Sequence, residues 1–336
     1  MTLTKRKTQF LPAIQYWLFA SAMMVLCMAV IGAVTRLTES GLSMVEWRPL
    51  IGALPPLSAE EWQRVYDLYK QSPEFEHKHY WMSLAEFKNI FFWEWFHRLW
   101  GRLIGLVYGL PFFYFLIRGQ IPDGYKLRLW GLLILGGLQG VIGWWMVKSG
   151  LIDRPDVDHF RLTVHLGMAI FIYAILWWTI LDLRGGKVSL FHKGAHKALR
   201  LSSLFLLVLT MVWGAFVAGL EAGRLYNSFP LMDGALTPSG AWSLSGMVYD
   251  HGWVQFVHRW LAKLAAAVIL VYAFKQKSYA LGAMVVVQVG LGIGALMTSL
   301  MIPVAAAHQA GAIILLTILL NVIHRNRQGN SRDKSG

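Results

Sequence analysis

The chain has 336 residues, of which 56% are hydrophobic and only 15% are charged. A soluble domain of this length carries more charge, so the composition excludes one and indicates that lipid surrounds most of the chain. The formal net charge of +13 does not indicate nucleic-acid binding, because Lys and Arg do not gather into a basic motif between stacking aromatic side chains. The single cysteine, Cys27, lies in an apolar run, which excludes a disulfide framework and a cysteine-rich metal site.

The N-terminal segment has Lys5-Arg6-Lys7 ahead of an apolar run from Tyr16 to Val34, an order that also occurs in signal peptides. The run of about 19 residues is longer than the apolar region of a signal peptide and suffices to cross a bilayer. We therefore expect a retained first transmembrane helix. No long amphipathic extension rich in Arg and Ser precedes it, so we expect a bacterial inner membrane rather than a mitochondrion.

Eight apolar segments are long enough to cross a bilayer as helices. The predicted spans are residues 16–36, 94–117, 128–147, 160–182, 200–220, 254–274, 280–301 and 303–324. One set of connections between them holds 17 of the 31 Lys and Arg residues, against three acidic residues in or beside it. This set comprises residues 1–15, 118–128, 183–200, 275–279 and 325–336. By the positive-inside rule this set is cytoplasmic, and so are both termini.

The other set contains two long connections on the outer side, residues 37–93 and 221–253. We expect the outer loop, residues 37–93, to pack as a small cap rather than to form a separate soluble domain, because nothing in it is of low complexity. Ser58-Ala-Glu-Glu61 resembles a capping box and predicts a helix from Ser58 to Tyr69.

The two halves of the chain repeat one another. Gly32-Ala33 and Glu39-Ser40-Gly41 recur at one constant offset as Gly214-Ala215 and Glu221-Ala222-Gly223. The further matches are His97-Arg98 with His258-Arg259, Gln139 and Gly143 with Gln288 and Gly292, and His165 with His308. The repeat predicts an all-α membrane protein of two four-helix bundles, residues 1–183 and 184–336, related by a pseudo-twofold axis along the membrane normal. Such bundles build cofactor sites between facing helices, although the repeat also suits a transporter.

Four histidines occupy matched positions in this repeat: His97, His165, His258 and His308. Each is expected in the first turns of an even-numbered span, so all four lie at a similar shallow depth on the outer side. Two imidazoles from two helices can serve as the axial ligands of a haem iron. Zinc needs further protein ligands, and no cysteine or His-Glu-x-x-His motif supplies them. We therefore predict a first pair, His97 with His165, and a second pair, His258 with His308, each binding haem.

The two pairs differ in one neighbouring residue. Glu94 lies one helical turn before His97, whereas Gln255 lies one turn before His258. A carboxylate can relay protons and an amide cannot titrate, which favours chemistry at the first pair and electron transfer or structure at the second. An alternative is that Glu94 only stabilises a helix N-terminus at the membrane interface.

Four further charged residues have open roles. Arg98 and Arg259 either pair with haem propionates or extend to the membrane surface. Glu39 and Glu221 are expected to organise the outer connections rather than to carry out chemistry.

Seven stretches spread over nearly the whole chain carry a resemblance to a known family. They are Gly32-Ala-Val-Thr-Arg-Leu-Thr-Glu-Ser-Gly-Leu-Ser-Met44, Glu86-Phe-Lys88, Glu94-Trp-Phe-His-Arg98, Phe160-Arg-Leu-Thr-Val-His-Leu-Gly167, Tyr226-Asn-Ser-Phe-Pro-Leu-Met232, Phe256-Val-His-Arg259 and His308-Gln309. In combination they resemble the haem A synthase family, in the branch shared by many proteobacteria and mitochondria. Some bacterial members carry a cysteine pair in the first outer loop; this chain has none there, which removes a thiol-based electron route.

The resemblance implies an enzyme that oxidises the C8 methyl of haem O to a formyl group by successive hydroxylations, giving haem A for cytochrome c oxidase. It implies that His258 and His308 bind a resident haem b and that His97 and His165 bind the substrate haem. Glu94 matches the catalytic carboxylate of the family. The implied partners are haem O synthase and cytochrome c oxidase assembly factors, with the catalytic face toward the periplasm. The electron donor and the formation of homo-oligomers stay open.

Two other functions compete with this one. A di-haem electron carrier of cytochrome b type would use both pairs, but it has no evident need for a carboxylate at only one of them. A transporter would suit the repeat, but the chain lacks helices broken by Gly or Pro at corresponding positions of its two halves.

Overall fold

The computed structural model describes residues 10–46, 51–152, 155–187, 189–191 and 196–332. The basic residues Lys5, Arg6 and Lys7 lie outside this part of the chain. The side of the membrane on which the termini lie therefore remains a prediction from the charge distribution.

The described residues are nearly all helical and contain ten α-helices and no β-strand. The helices are α1 (Leu11–Leu37), α2 (Ala59–Tyr69), α3 (Leu84–Ile117), α4 (Lys126–Gly150), α5 (His159–Gly185), α6 (Lys197–Gly219), α7 (Gly246–Tyr249), α8 (His251–Lys275), α9 (Tyr279–Met297) and α10 (Ile302–Arg332). All of them except α2 and α7 are long and apolar enough to cross a membrane. The prediction of eight spanning helices is confirmed by this length and composition.

Helix α3 begins at Leu84, well before the predicted span that starts at residue 94. Ser83 and Glu86 form a capping box, in which the Ser83 hydroxyl accepts from the Glu86 N–H and the Glu86 carboxylate accepts from the Ser83 N–H. This box satisfies backbone donors that would otherwise be unpaired and starts the helix at Leu84. The expectation that His97 lies in the first turns of its helix is therefore wrong, since it lies in the fourth turn. The other three histidines lie in the second or third turn of their helices.

The outer loop has a packed core of its own. Tyr69 and Phe87 are fully buried and stacked, with ring centroids 5.0 Å apart, and Met82, Ile90 and Phe91 complete the cluster. Helix α2 starts at Ala59 because Ser58 Oγ accepts from the N–H of Glu61 at 3.2 Å, as the sequence predicted. The loop therefore packs against the first part of α3.

A buried polar network runs through the outer loop. The Tyr69 hydroxyl donates to Glu74 Oε2 at 3.0 Å and lies 2.7 Å from His79 Nδ1. His79 Nε2 lies 3.4 Å from Oε2 of Glu39, just after the end of α1. The network therefore links the end of α1 to the outer loop.

Packing divides the chain into two compact units. The first contains Met23–Ala169, and the second contains Leu11–Ala22 and the chain from Ile170 onward. Within the second unit, Gln15 Nε2 donates to the Leu183 carbonyl at 3.1 Å. The predicted division after residue 183 follows the sequence repeat and remains a prediction, as does the pseudo-twofold axis.

Candidate functional site

In the first unit, each histidine of the first pair packs against a glycine of a neighbouring helix. His97 of α3 faces Gly32 of α1, and a Cβ on this glycine would lie 3.2 Å from Cε1 of the ring. His165 of α5 faces Gly143 of α4, where the same distance would be 2.9 Å. A side chain at either glycine would push the imidazole out of its place, so the glycines determine where the rings lie.

The second unit repeats this arrangement. A Cβ on Gly214 of α6 would lie 3.1 Å from Cε1 of His258 in α8, and one on Gly292 of α9 would lie 2.9 Å from Cε1 of His308 in α10. Both glycines are repeat partners of those in the first unit. The recurrence of the glycines in the sequence therefore has a physical reason, which is close approach of an imidazole to a helix backbone.

The structure brings the histidines together within each unit. His97 and His165 lie within range of direct electrostatic interaction, and so do His258 and His308. All four residues are only partly buried, so each retains surface that a ligand can cover. In the part of the chain that the structure describes, no group of three or more His, Cys, Asp or Glu side chains could hold a metal ion. Two-histidine sites suit the axial ligands of haem rather than zinc.

In the second pair, both Nδ1 atoms have hydrogen-bond partners. His258 Nδ1 donates to the carbonyl oxygen of Thr210 in α6 at 3.1 Å. Gln288 of α9 places its Nε2 3.1 Å from Nδ1 of His308 and donates to the carbonyl of the same residue at 3.0 Å. Both rings are therefore oriented by the helix that also supplies the glycine.

In the first pair, only the Nδ1 atom of His165 has a hydrogen-bond partner among the described residues. Gln139 of α4 places its Nε2 3.2 Å from Nδ1 of His165 and donates to the His165 carbonyl at 2.9 Å. Nδ1 of His97 is buried and has no hydrogen-bond partner among the described residues. The sequence recurrence of Gln139 and Gln288 was visible, but their contact with the histidines was not predicted.

Glu94 is buried beside the first pair, with 3% of its surface exposed. Its Oε2 accepts from the Ser43 hydroxyl at 2.8 Å and from the Met44 N–H at 2.7 Å, while Oε1 pairs with the Arg98 guanidinium. Arg98 also donates to the Met44 carbonyl at 3.1 Å. The carboxylate is thus held in one orientation and ties the start of the outer loop to α3.

At the equivalent position beside the second pair, Gln255 donates a hydrogen bond to the loop, whereas Glu94 accepts hydrogen bonds from it. Gln255 Nε2 donates to the Tyr226 carbonyl at 3.1 Å, and Arg259 donates to the same oxygen at 2.7 Å. Tyr226 and Met44 are separated by the same offset as Gly214 and Gly32, so they are repeat partners. The repeat could therefore have identified Met44 and Tyr226 as the loop residues that bind Glu94 and Gln255. Each arginine donates to a loop carbonyl, and its pairing with a haem propionate remains a prediction.

These features fit a haem at each pair. Each unit offers two facing imidazoles on separate helices, a glycine that admits each ring close to a backbone, and partly accessible ligand residues. Only the first pair has a carboxylate one turn away. Among the predicted site residues, Glu94 therefore lies with His97 and His165 in the first unit.

A comparison with protein families covers nearly the whole chain. Residues 15–320 match the family model COX15-CtaA, described as cytochrome oxidase assembly protein. The chain belongs to the COX15-CtaA family.

Three similar proteins carry the name Heme A synthase. The chain is 47% identical to Heme A synthase of Rhodospirillum centenum, over 93% of this chain and 88% of the relative. It is 45% identical to Heme A synthase of Maricaulis maris, over 92% and 94% of the two chains. The protein of the same name from Nitrosospira multiformis is 42% identical, over 97% and 96%. These findings agree with the resemblance in the histidine motifs and do not favour a transporter or a simple electron carrier.

Proposed function

We propose that this chain is a haem A synthase that oxidises the C8 methyl of haem O to a formyl group by successive hydroxylations, giving haem A. The observation that carries the proposal is identity of 42–47% to relatives of that name over more than nine-tenths of the chain. The two histidine pairs support it, because the reaction needs a place for a haem substrate and a route for electrons.

His258 and His308 are proposed to hold a resident haem b, which supplies one-electron transfer when bound. The Nδ1 atom of each contacts a residue of the neighbouring helix, so both rings are held in place. His97 and His165 are proposed to hold the substrate haem. The basis for this division is the position of Glu94, which lies beside the first pair only.

Glu94 is proposed to accept or deliver the protons of the hydroxylation. Ser43, Met44 and Arg98 hold its two oxygens in fixed directions, so the carboxylate does not need to reorient before a proton moves. The same contacts fasten the start of the outer loop to α3.

The wider setting of the reaction is also a proposal. The family description, cytochrome oxidase assembly protein, supports delivery of the product to cytochrome c oxidase, with haem O synthase and oxidase assembly factors as partners. The eight apolar helices support a multi-pass membrane protein. The N-terminal sequence favours the bacterial inner membrane, and the charge distribution favours histidines on the periplasmic side.

Extraction of pigment from the purified full-length protein tests the proposed function. A mixture of haem b with haem O or haem A is the expected result, and added haem O should be converted to haem A when a reductant and oxygen are supplied. Haem b alone, with no conversion, would favour an electron carrier. Protein without any haem would favour transport and contradict the proposal.

A further inference from the structure

Three of the four histidines are oriented by a residue that lies four positions before the glycine facing the ring. In α9, Gln288 precedes Gly292, and both contact His308. Residues four apart lie on the same face of a helix. One helix face therefore provides both the close approach to the ring and the partner of its Nδ1. Gln139 with Gly143, and Thr210 with Gly214, repeat this arrangement at His165 and His258.

The Nδ1 partner matters because iron takes the lone pair of the other ring nitrogen, Nε2. The proton of the neutral imidazole then stays on Nδ1, which needs an acceptor. An acceptor there keeps the ring in the ligating orientation and makes Nε2 a stronger donor. The carbonyl of Thr210 already imposes this state on His258, since a carbonyl can only accept.

The two glutamines can supply the same acceptor. In both, the amide nitrogen lies toward Nδ1, and the amide oxygen is buried without a hydrogen-bond partner among the described residues. Turning either amide over about its last bond brings its oxygen to the Nδ1–H and gives up the hydrogen bond from its nitrogen to the histidine carbonyl. The amide can therefore donate to Nδ1 in one orientation and accept from the Nδ1–H in the other.

His97 departs from this pattern. Met28 is the repeat counterpart of Thr210, but its carbonyl forms no hydrogen bond with Nδ1 of His97, which is buried with no partner in the described part of the chain. With no acceptor for its Nδ1–H, His97 is a weaker and less firmly oriented ligand than the other three. It belongs to the pair at which, on the proposed function, a haem must both arrive and leave.

We propose that Gln139 and Gln288 are positioning residues for the iron ligands His165 and His308, and that His97 is the ligand from which haem is released. The proposal rests on the proposed function only for the identity of the two haems. It predicts that the two glutamines act separately, each on the haem of its own pair.

The test uses purified full-length protein carrying Gln288→Leu or Gln139→Leu. Haem transfer to excess apomyoglobin is followed by absorption, which separates haem b from haem O and haem A, and the midpoint potential of each haem is titrated. Gln288→Leu should release haem b about 10- to 100-fold faster and change its potential, leaving the other haem unchanged. Gln139→Leu should do the reverse. In the unmodified protein, haem O or haem A should leave before haem b.

Gln288→Glu serves as a conservative control that also covers a failure of the leucine variant to fold. It should keep haem b bound and lower the midpoint potential, because a carboxylate acceptor increases electron donation from the imidazole. A merely structural glutamine would show no such change in potential. Unchanged release and potential in both leucine variants, or equal release of both haems from the unmodified protein, would overturn the inference. If the protein holds only haem b and forms no haem A, the proposed function fails while the Gln288 variants still test this inference.

Discussion

At the scale of single residues, the two histidine pairs are unequal in more than one way. Glu94 accepts hydrogen bonds beside the first pair, whereas Gln255 donates one beside the second. His97 lacks an Nδ1 partner among the described residues, whereas His258 has one. On the proposed function, both differences favour chemistry and haem exchange at the first pair.

Replacement of Glu94 tests the catalytic role. Glu94→Ala should keep haem b at the second pair and lower the rate of haem A formation about 10²- to 10⁴-fold, because the proton acceptor is lost. Haem A is measured by extraction and chromatography, and haem b by its absorption. Gln255→Ala is the matched control and should retain most of the activity. Full activity in Glu94→Ala would leave the residue only its role in holding the outer loop.

Replacement of Gly292 tests the close packing of an imidazole on a helix. Gly292→Ala should lower the haem b content at least about tenfold, since its Cβ would lie 2.9 Å from Cε1 of His308 and displace the ligand. Gly290→Ala on the same helix is the control, because no atom lies within 4 Å of its Cβ position. Haem b absorbance per mole of protein is measured for both, and equal values would contradict the role of Gly292.

At the scale of elements, α3 and the outer loop form one piece. The capping box at Ser83 and Glu86 extends α3 beyond the predicted span, and the extension packs its Phe87 and Phe91 against α2. Glu94 lies further along the same helix and binds the start of the loop. The stability of the loop and the position of the carboxylate are therefore coupled.

The outer loop should become less stable as the pH rises. Burial raises the pKa of Glu74 to about 8, and the charges of Glu94 and Glu39 add to this effect, while the Tyr69 hydroxyl and Lys78 oppose it. The Tyr69 hydroxyl, which contacts Glu74, also contacts His79. A carboxyl with a raised pKa favours folding in its neutral form, so its contribution is complete below about pH 4.5 and is lost as the pH approaches 8. The maximal slope is about 1.4 kcal/mol per pH unit.

Limited proteolysis of the outer loop between pH 5 and pH 9 measures this dependence. The unmodified loop should be cleaved faster at high pH, and Glu74→Gln should remove most of the change because the amide stays neutral. Glu76→Gln alters a neighbouring exposed residue and should leave the dependence intact. The same pH dependence in Glu74→Gln as in the unmodified protein would show that another group titrates.

At the scale of the whole molecule, the sequence repeat places one two-histidine site in each compact unit. The repeat preserves the glycines, the histidines and one glutamine in each unit. Glu94 of the first unit corresponds to Gln255 of the second, and we propose that this difference separates the functions of the two pairs.

Removal of single histidines should reveal this division. His258→Ala or His308→Ala should deplete haem b and leave the capacity of the first pair for haem O, because the two pairs lie in separate units. His97→Ala or His165→Ala should retain haem b and lose haem O and haem A. Pigment analysis of the four variants measures both contents. Loss of the same haem from all four would contradict two separate sites.

Local sequence signals were sufficient for the spanning helices. A run of about 20 apolar residues forms a helix in lipid whatever its neighbours, because its backbone groups must bond to one another. Matching stretches identified the repeat, and the match of His97-Arg98 with His258-Arg259 established the equivalence of Glu94 and Gln255. The start of α3 was missed because the expectation followed hydrophobicity, whereas the helix begins at the capping box of Ser83 and Glu86.

Long-range packing decided the features that no local signal contains. The contact of Gln288 with His308, the hydrogen bonds of Ser43 and Met44 to Glu94, and the unpartnered Nδ1 of His97 within the described residues all join separate segments. Such contacts depend on how two helices or a helix and a loop meet, which hydrophobic periodicity does not specify. The sequence therefore determined which histidines and glycines recur, and the tertiary structure determined which residue lies beside each histidine.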